Sequence, residues 1–350
     1  ASGIRTRRYH GLLCAARTPP TGRVLLVSAV EAWVDAGHGP RGLSSHHYLP
    51  AVTHPDGASR LLSFTCEPFP TWTYELEDDL CVVHELFVPR GTAQVVQRWR
   101  LEGARRSAKL ILRPLLAARD VHALRRESAE LDLTSALDGA CVRWKPATTL
   151  PGIVAHTNGV FQADAQWYRD FLYLEERARG YDFVEDLASP GFFEHDLASG
   201  AAVLVLAAEA AGTFALALPG DAPVASWVNE LRERELARRA AQTALERAAE
   251  SYLVKRGAGR SLIAGYPWFT DWGRDTFLAL RGLLLARGKH AEAAEILLAW
   301  AEHVSEGMLP NRFPDQSEAP EYNSVDASLW FVVAVEETLA AHKSLARAER

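Results

Sequence analysis

The run Tyr266-Pro267-Trp268-Phe269-Thr270-Asp271-Trp272-Gly273-Arg274-Asp275 sets two indoles, a phenyl ring and a phenol beside two carboxylates and a guanidinium. A sugar asks for this mixture. Aromatic faces take the apolar C–H side of a pyranose, while planar charged groups take hydroxyl hydrogen bonds in pairs. The same letters allow an ordinary reading. Asp275 can cap a helix beginning at Thr276, Arg274 can pair with Asp271, and the indoles can be core. Spacing alone leaves both readings open, and Asp275 can serve both.

A second dense stretch is Leu309-Pro310-Asn311-Arg312-Phe313-Pro314-Asp315, followed by Pro320-Glu321-Tyr322-Asn323-Ser324-Val325-Asp326. Amides and carboxylates in a long loop before an aromatic-rich helix suit a ligand-facing rim. Turn chemistry, with Asn323 or Ser324 capping the next helix, is the plainer alternative. Asp315, Glu318, Glu321 and Asp326 are the carboxylates placed where a general acid can stand in such a loop.

Other motifs carry less chemistry. Gly37-x-Gly39-x-x-Gly42 has the letters of a dinucleotide fingerprint, but Leu43–Pro50 does not read as the helix whose N-terminus must hold pyrophosphate. It reads as a loop between strands. His46-His47 lacks a third ligand at metal-site spacing and reads as a solvated or hydrogen-bonded pair. Thr6–Gly11, Gln166–Phe171 and Arg179–Leu187 mix charge with aromatic rings. They imply no base–nucleophile arrangement, so they read as surface strands or as buried ion pairs at a domain contact. Cys14, Cys66, Cys81 and Cys141 form no C-x-x-C pair and read as reduced thiols filling core positions.

The elements that must position these residues fall into two styles. Up to about residue 220 the chain is strand-like. The expected strands are Gly22–Val34, Leu61–Glu67, Thr71–Glu77, Cys81–Pro89, Ala93–Leu101, Ala108–Leu115, Cys141–Trp144, Gly152–Thr157, Val203–Ala207 and Thr213–Leu218. Turn residues separate them at sandwich-like spacing, with no βαβ rhythm. Val224–Arg256 then runs for 33 residues without Gly or Pro. Apolar positions 224, 227, 228, 231 and 245, 248, 249, 252 predict a linker helix, about 50 Å long if continuous, with a break possible near Arg239. Helices follow at Thr276–Arg287 and His290–Val304, a polar loop at Glu306–Asn323, and a third helix from Ser324. The first is expected to be buried on several sides.

With 350 residues the length prior is about two domains. An apolar fraction of 48% and a charged fraction of 23% are those of a globular chain. The net charge of −6 argues against nucleic acid as a partner. No apolar run approaches the roughly 20 residues of a membrane span. No signal peptide is visible, Ala1 is not an initiator, and Met308 is the single methionine. The expectation is a fragment of a longer polypeptide, with the cytoplasm as default location.

Taken together, the segments resemble the bacterial and archaeal glycogen debranching enzyme family. The resemblance rests on Thr6-Arg7-Arg8-Tyr9-His10-Gly11-Leu12-Leu13, Arg113–Asp120, Tyr168–Pro190, Ala264–Asp275, Leu309–Arg312 and Tyr322–Ala327. It implies an antiparallel β-sandwich over 1–220, a helical linker over 221–256, and the first helices of an (α/α)6 six-hairpin barrel over 257–350. It also implies hydrolysis of α-1,6-linked glucose at branch points of glycogen or limit dextrin. The implied mechanism is inversion between two carboxyl groups about 6.5–9.5 Å apart, without cofactor or metal. Trp272, Arg274 and Asp275 would line the terminal-glucose subsite, and Asn311, Arg312, Asn323 and Asp326 its rim. Twelve barrel helices take roughly 200 residues, so the acid and base are expected beyond Arg350 and the 350 residues alone are expected to be inactive. The alternatives are another glucoamylase-, trehalase- or phosphorylase-like enzyme of this architecture, or a non-catalytic glucan-binding protein.

Overall fold

The computed structural model describes residues 2–77, 79–103, 107–209, 222–314 and 319–348. The chain divides into two compact units. One comprises Ala1–Ala15 with Val24–Ala240, the other Ala16–Arg23 with Ala241–Arg350.

The strands of the first unit, in chain order, are β1 (Leu13–Thr18), β2 (Thr21–Asp35), β3 (Arg41–Gly42), β4 (Ser45–Tyr48), β5 (Val52–Asp56), β6 (Leu61–Thr65), β7 (Thr71–Glu75), β8 (Cys81–Phe87), β9 (Gln94–Glu102), β10 (Lys109–Asp120), β11 (Ser135–Asp138), β12 (Cys141–Trp144), β13 (Ile153–Thr157), β14 (Val160–Leu172), β15 (Val184–Asp196) and β16 (Ala202–Ala208). They form two eight-stranded sheets. One runs β1-β2-β10-β15-β14-β4-β5 with β3 beside β2, the other β11-β12-β13-β16-β9-β8-β7-β6. Neighbours pair antiparallel, as Leu112↔Phe193 and Val82↔Leu101 show. Side chains alternate across each strand, so Val24, Leu26, Leu110 and Phe193 of one sheet meet Val82, Val95, Ile153 and Leu204 of the other in one buried core. This is the expected sandwich. The expected strand Thr213–Leu218 lies outside the described residues.

β14 fits the surface-strand reading of Gln166–Phe171, whereas most of β15 is a strand that the sequence does not announce. They flank a short helix, α1 (Leu174–Ala178). β15 is buried along nearly its whole length although it carries Glu185, Asp186 and His195. Its charges are paired: Glu185 takes the Arg119 guanidinium and the Tyr173 hydroxyl, the latter at 2.5 Å. Glu176 of α1 likewise accepts Arg7 Nε at 2.9 Å and the Arg8 N–H at 3.1 Å. Around Glu176 and Glu185 the charged aromatic motifs are therefore buried ion pairs, while Arg169 and Asp170 pair with Glu127 and Arg126 at the surface.

Residues 224–256 are not one helix. α2 (Val224–Ala240) buries Val224, Trp227, Val228 and Leu231 against Phe69, Phe87, Val96 and Val203 of the second sheet. The chain breaks at Thr243, whose side chain accepts from the Glu246 N–H while Glu246 accepts from the Thr243 N–H, a capping box that starts α3 (Ala244–Ser251). Of the second apolar set, Ala249 is buried and Leu245 is exposed. A hairpin of β17 (Leu253–Arg256) and β18 (Gly259–Leu262) follows.

The second unit then forms α4 (Gly273–Leu283), α5 (His290–Ala301) and α6 (Val325–Ala348). Phe277, Leu280 and Leu284 pack with Ile296, Leu297, Trp300 and Ala334. Contrary to the expectation of burial on several sides, α4 leaves Leu278 exposed. No disulfide joins the cysteines, and only Cys141 is buried, so core filling describes one of the four. His47 bonds Thr53 Oγ1 at 3.0 Å, whereas His46 is buried with no partner on Nε2, so the paired reading holds for one histidine of the two.

Candidate functional site

The dense segments meet at the start of α4. Trp272 is the extended residue before the helix, and it bridges antiparallel to Arg312. The Gly273 N–H donates to the Asn311 carbonyl at 2.8 Å, and the Asn311 N–H to the Glu321 carbonyl at 2.6 Å. The Asn311 amide donates to Asn323 Oδ1 at 2.9 Å. Three segments thus lie side by side. A Cβ at Gly273 would stand 2.8 Å from the Pro310 carbonyl oxygen and 3.1 Å from Ala327 Cβ, so the close approach needs a residue without one.

The charges pair differently from the expectation. Arg274 donates to Asp326 at 3.0 Å across a half-exposed surface. Asp271, the partner offered by spacing, is fully buried and accepts from Arg256 and from Ser261 Oγ. Its other oxygen has no partner. Burial pushes the Asp271 carboxyl up, opposed by Arg256 and Ser261. Arg256 in turn lies 3.9 Å from the Phe313 ring centroid, and Phe313 packs on Trp300. Spacing missed this support beneath the loop, because a buried carboxylate leaves no periodic trace.

Asp275 does not cap the helix. α4 begins at Gly273, so Asp275 stands in its first turn, where the positive end of the helix favours its charge. It makes no hydrogen bond or ion pair among the described residues. Arg312 pairs with Glu321 and also covers the Trp272 ring, its guanidinium 5.4 Å from the centroid. The rings offered to solvent are Tyr266, Trp268, Phe269 and Tyr322.

This arrangement can bind hydroxyls and stack on rings. A general acid needs a carboxyl pushed up and open to substrate, which Glu321 and Asp326 do not offer. Arg312 holds Glu321 below the usual carboxylate range, and the Ser324 hydroxyl, with Arg274, does the same to Asp326. Asp271 is raised but sealed. Asp315 and Glu318 lie outside the described residues. No cluster of three metal-ligating side chains occurs among the described residues, and no helix there is long and apolar enough to cross a membrane.

Residues 1–204 match the family model described as "Glycogen debranching enzyme N terminal", which covers more than half of the chain. The chain belongs to the glycogen debranching enzyme family. The other end of this family member, residues 247–348, matches the model described as "Amylo-alpha-1,6-glucosidase". That stretch contains all seven residues proposed for the site. A glycogen debranching enzyme of Saccharomyces cerevisiae is 40% identical over 82 residues, covering 22% of this chain and 5% of that protein. Among solved structures, a bacterial glucoamylase complexed with acarbose superimposes with a TM-score of 0.52 at 11% identity. It covers 96% of this chain, which spans 55% of the glucoamylase. At that identity the likeness speaks for the fold, β-sandwich then helices, as the six-hairpin expectation requires.

Proposed function

We propose that these residues belong to a glycoside hydrolase that removes α-1,6-linked glucose from branch points of glycogen or limit dextrin by inversion. The observation that carries this reading is the meeting of 272–275 with 311–326 at the start of α4, inside the stretch that matches the amylo-alpha-1,6-glucosidase model. In this reading Arg274 and Asp326, joined at 3.0 Å, present a fork and a carboxylate to sugar hydroxyls. Asp275 adds an unpaired acceptor, and Trp272, Asn311, Arg312 and Asn323 fix the rim. The acid and base stand on helices beyond Arg350, and 1–220, 221–256 and 257–350 serve as sandwich, linker and start of the barrel.

The test is glucose release from limit dextrin by a polypeptide extended past Arg350. Arg274→Lys keeps the charge and removes the planar fork. It is expected to cost kcat/KM about 2–4 kcal/mol of transition-state stabilisation. An unchanged kcat/KM on a branched oligosaccharide would place Arg274 outside the site, and clear turnover by the 350 residues alone would move the acid into 315–326.

A further inference from the structure

A second group of polar side chains, within the first unit, lines a cavity of about 120 Å³. That is well above the roughly 10–15 Å³ that one water requires. Arg5, His46, His84, Gln97 and Trp99 stand on its wall. His84 is sandwiched between Trp72 and Trp99, whose ring centroids lie 5.1 and 3.6 Å away. These stacked faces are used on one another, so the wall presents edges to the space between them, and an aromatic edge is electropositive.

The unmet groups on this wall are two donors and two imidazole nitrogens whose sense depends on the tautomer. Gln97 Nε2 and Trp99 Nε1 are buried donors with no partner, and the Nε2 atoms of His46 and His84 are also unpaired. Gln97 is 2% exposed and Trp99 3%. Arg5 spends only its Nε, on the Ser28 carbonyl at 2.7 Å, and has no carboxylate in ion-pair reach among the described residues. Burial lowers its guanidinium to about 10, as expected of a desolvated cation without a counter-charge. Glu31, which does not line the cavity, lies 3.7 Å from His46 Nε2 and accepts the Trp33 indole N–H.

We propose that this cavity is a binding site for a phosphate group, free or esterified to a small molecule. A charge-carrying fork stands on one cavity wall with an amide N–H and an indole N–H that have no partner. A tetrahedral oxyanion supplies several acceptor oxygens and the missing negative charge. The cavity is built from the first unit alone, so its test does not depend on hydrolysis.

The experiment is calorimetric titration of the folded chain with inorganic phosphate, a hexose monophosphate and glucose, at constant ionic strength. One-to-one binding of phosphate, or of the ester alone, is expected, with no heat from glucose. Arg5→Gln is expected to weaken it at least about tenfold, as loss of a charge-assisted bond implies. Trp99→Phe keeps the stack and removes one N–H; it is expected to weaken binding severalfold and carries the decision if Arg5→Gln does not fold. No heat from either phosphate species, equal binding by a folded variant, or glucose binding as well as the ester overturns the proposal.

Discussion

Asp271 shows how little of a site's charge pairing spacing reveals. It and Arg274 stand three residues apart, the spacing of a helical pair. Their actual partners are Arg256 and Asp326, 15 and 52 positions away. Composition announced the aromatic and charged character of 266–275, while partner choice waited on the loop 309–326 folding back. Asp271→Ala is expected to cost about 1–3 kcal/mol, since it leaves Arg256 and the buried Ser261 hydroxyl without their acceptor. Because burial raises the folded carboxyl above its unfolded value of 3.8, the native state holds the proton longer. Stability of the wild-type helical unit is therefore expected to fall as pH climbs from 3.8 towards the raised value and to level off above it. Urea midpoints followed by helical circular dichroism check this; the same slope in Asp271→Asn would assign it to another group.

At the scale of elements, the legible ones were those whose burial follows a simple period. The first half of β10, Lys109 to Pro114, alternates, and α2 buries the predicted positions 224, 227, 228 and 231. β15 escaped because it is buried on both faces and neutralises its charges through distant partners, which removes alternation. The break before α3 was legible in principle, in Thr243-x-x-Glu246. The start of α4 was misplaced because Trp272 precedes it with no side-chain cap; the Asn311 carbonyl takes the Gly273 N–H instead. Gly273→Ala is expected to push 310–312 away from the helix and destabilise the second unit by about 1–3 kcal/mol. An unaltered denaturation midpoint would show that the loop gives way freely.

For the whole molecule, β-then-α order was plain from composition along the chain, and the family follows from matches at both ends. What composition could not show is how many titratable groups the sandwich buries neutral. Burial lowers His46 and His84 to about 3 and His195 to about 4. Unfolding returns each to the ordinary 6.5, so below that pH the unfolded chain binds more protons and stability falls as pH falls. The slope is at most about 1.4 kcal/mol per pH unit per histidine. Denaturant midpoints of the sandwich are expected to drop between pH 7 and 5; equal midpoints would mean that these imidazoles reach water in the native state.

The Trp72–His84–Trp99 stack has a further consequence, for how the second sheet finds its alignment. The three rings are direct cross-strand partners on β7, β8 and β9. A slip of β8 by one residue against either neighbour would carry His84 to the opposite face. It would replace a ring between two rings with the flanking Val83 or Glu85. Every wrong alignment by one step thus breaks two stacks at once, and the imidazole that lines the cavity also fixes which rung of each strand meets which.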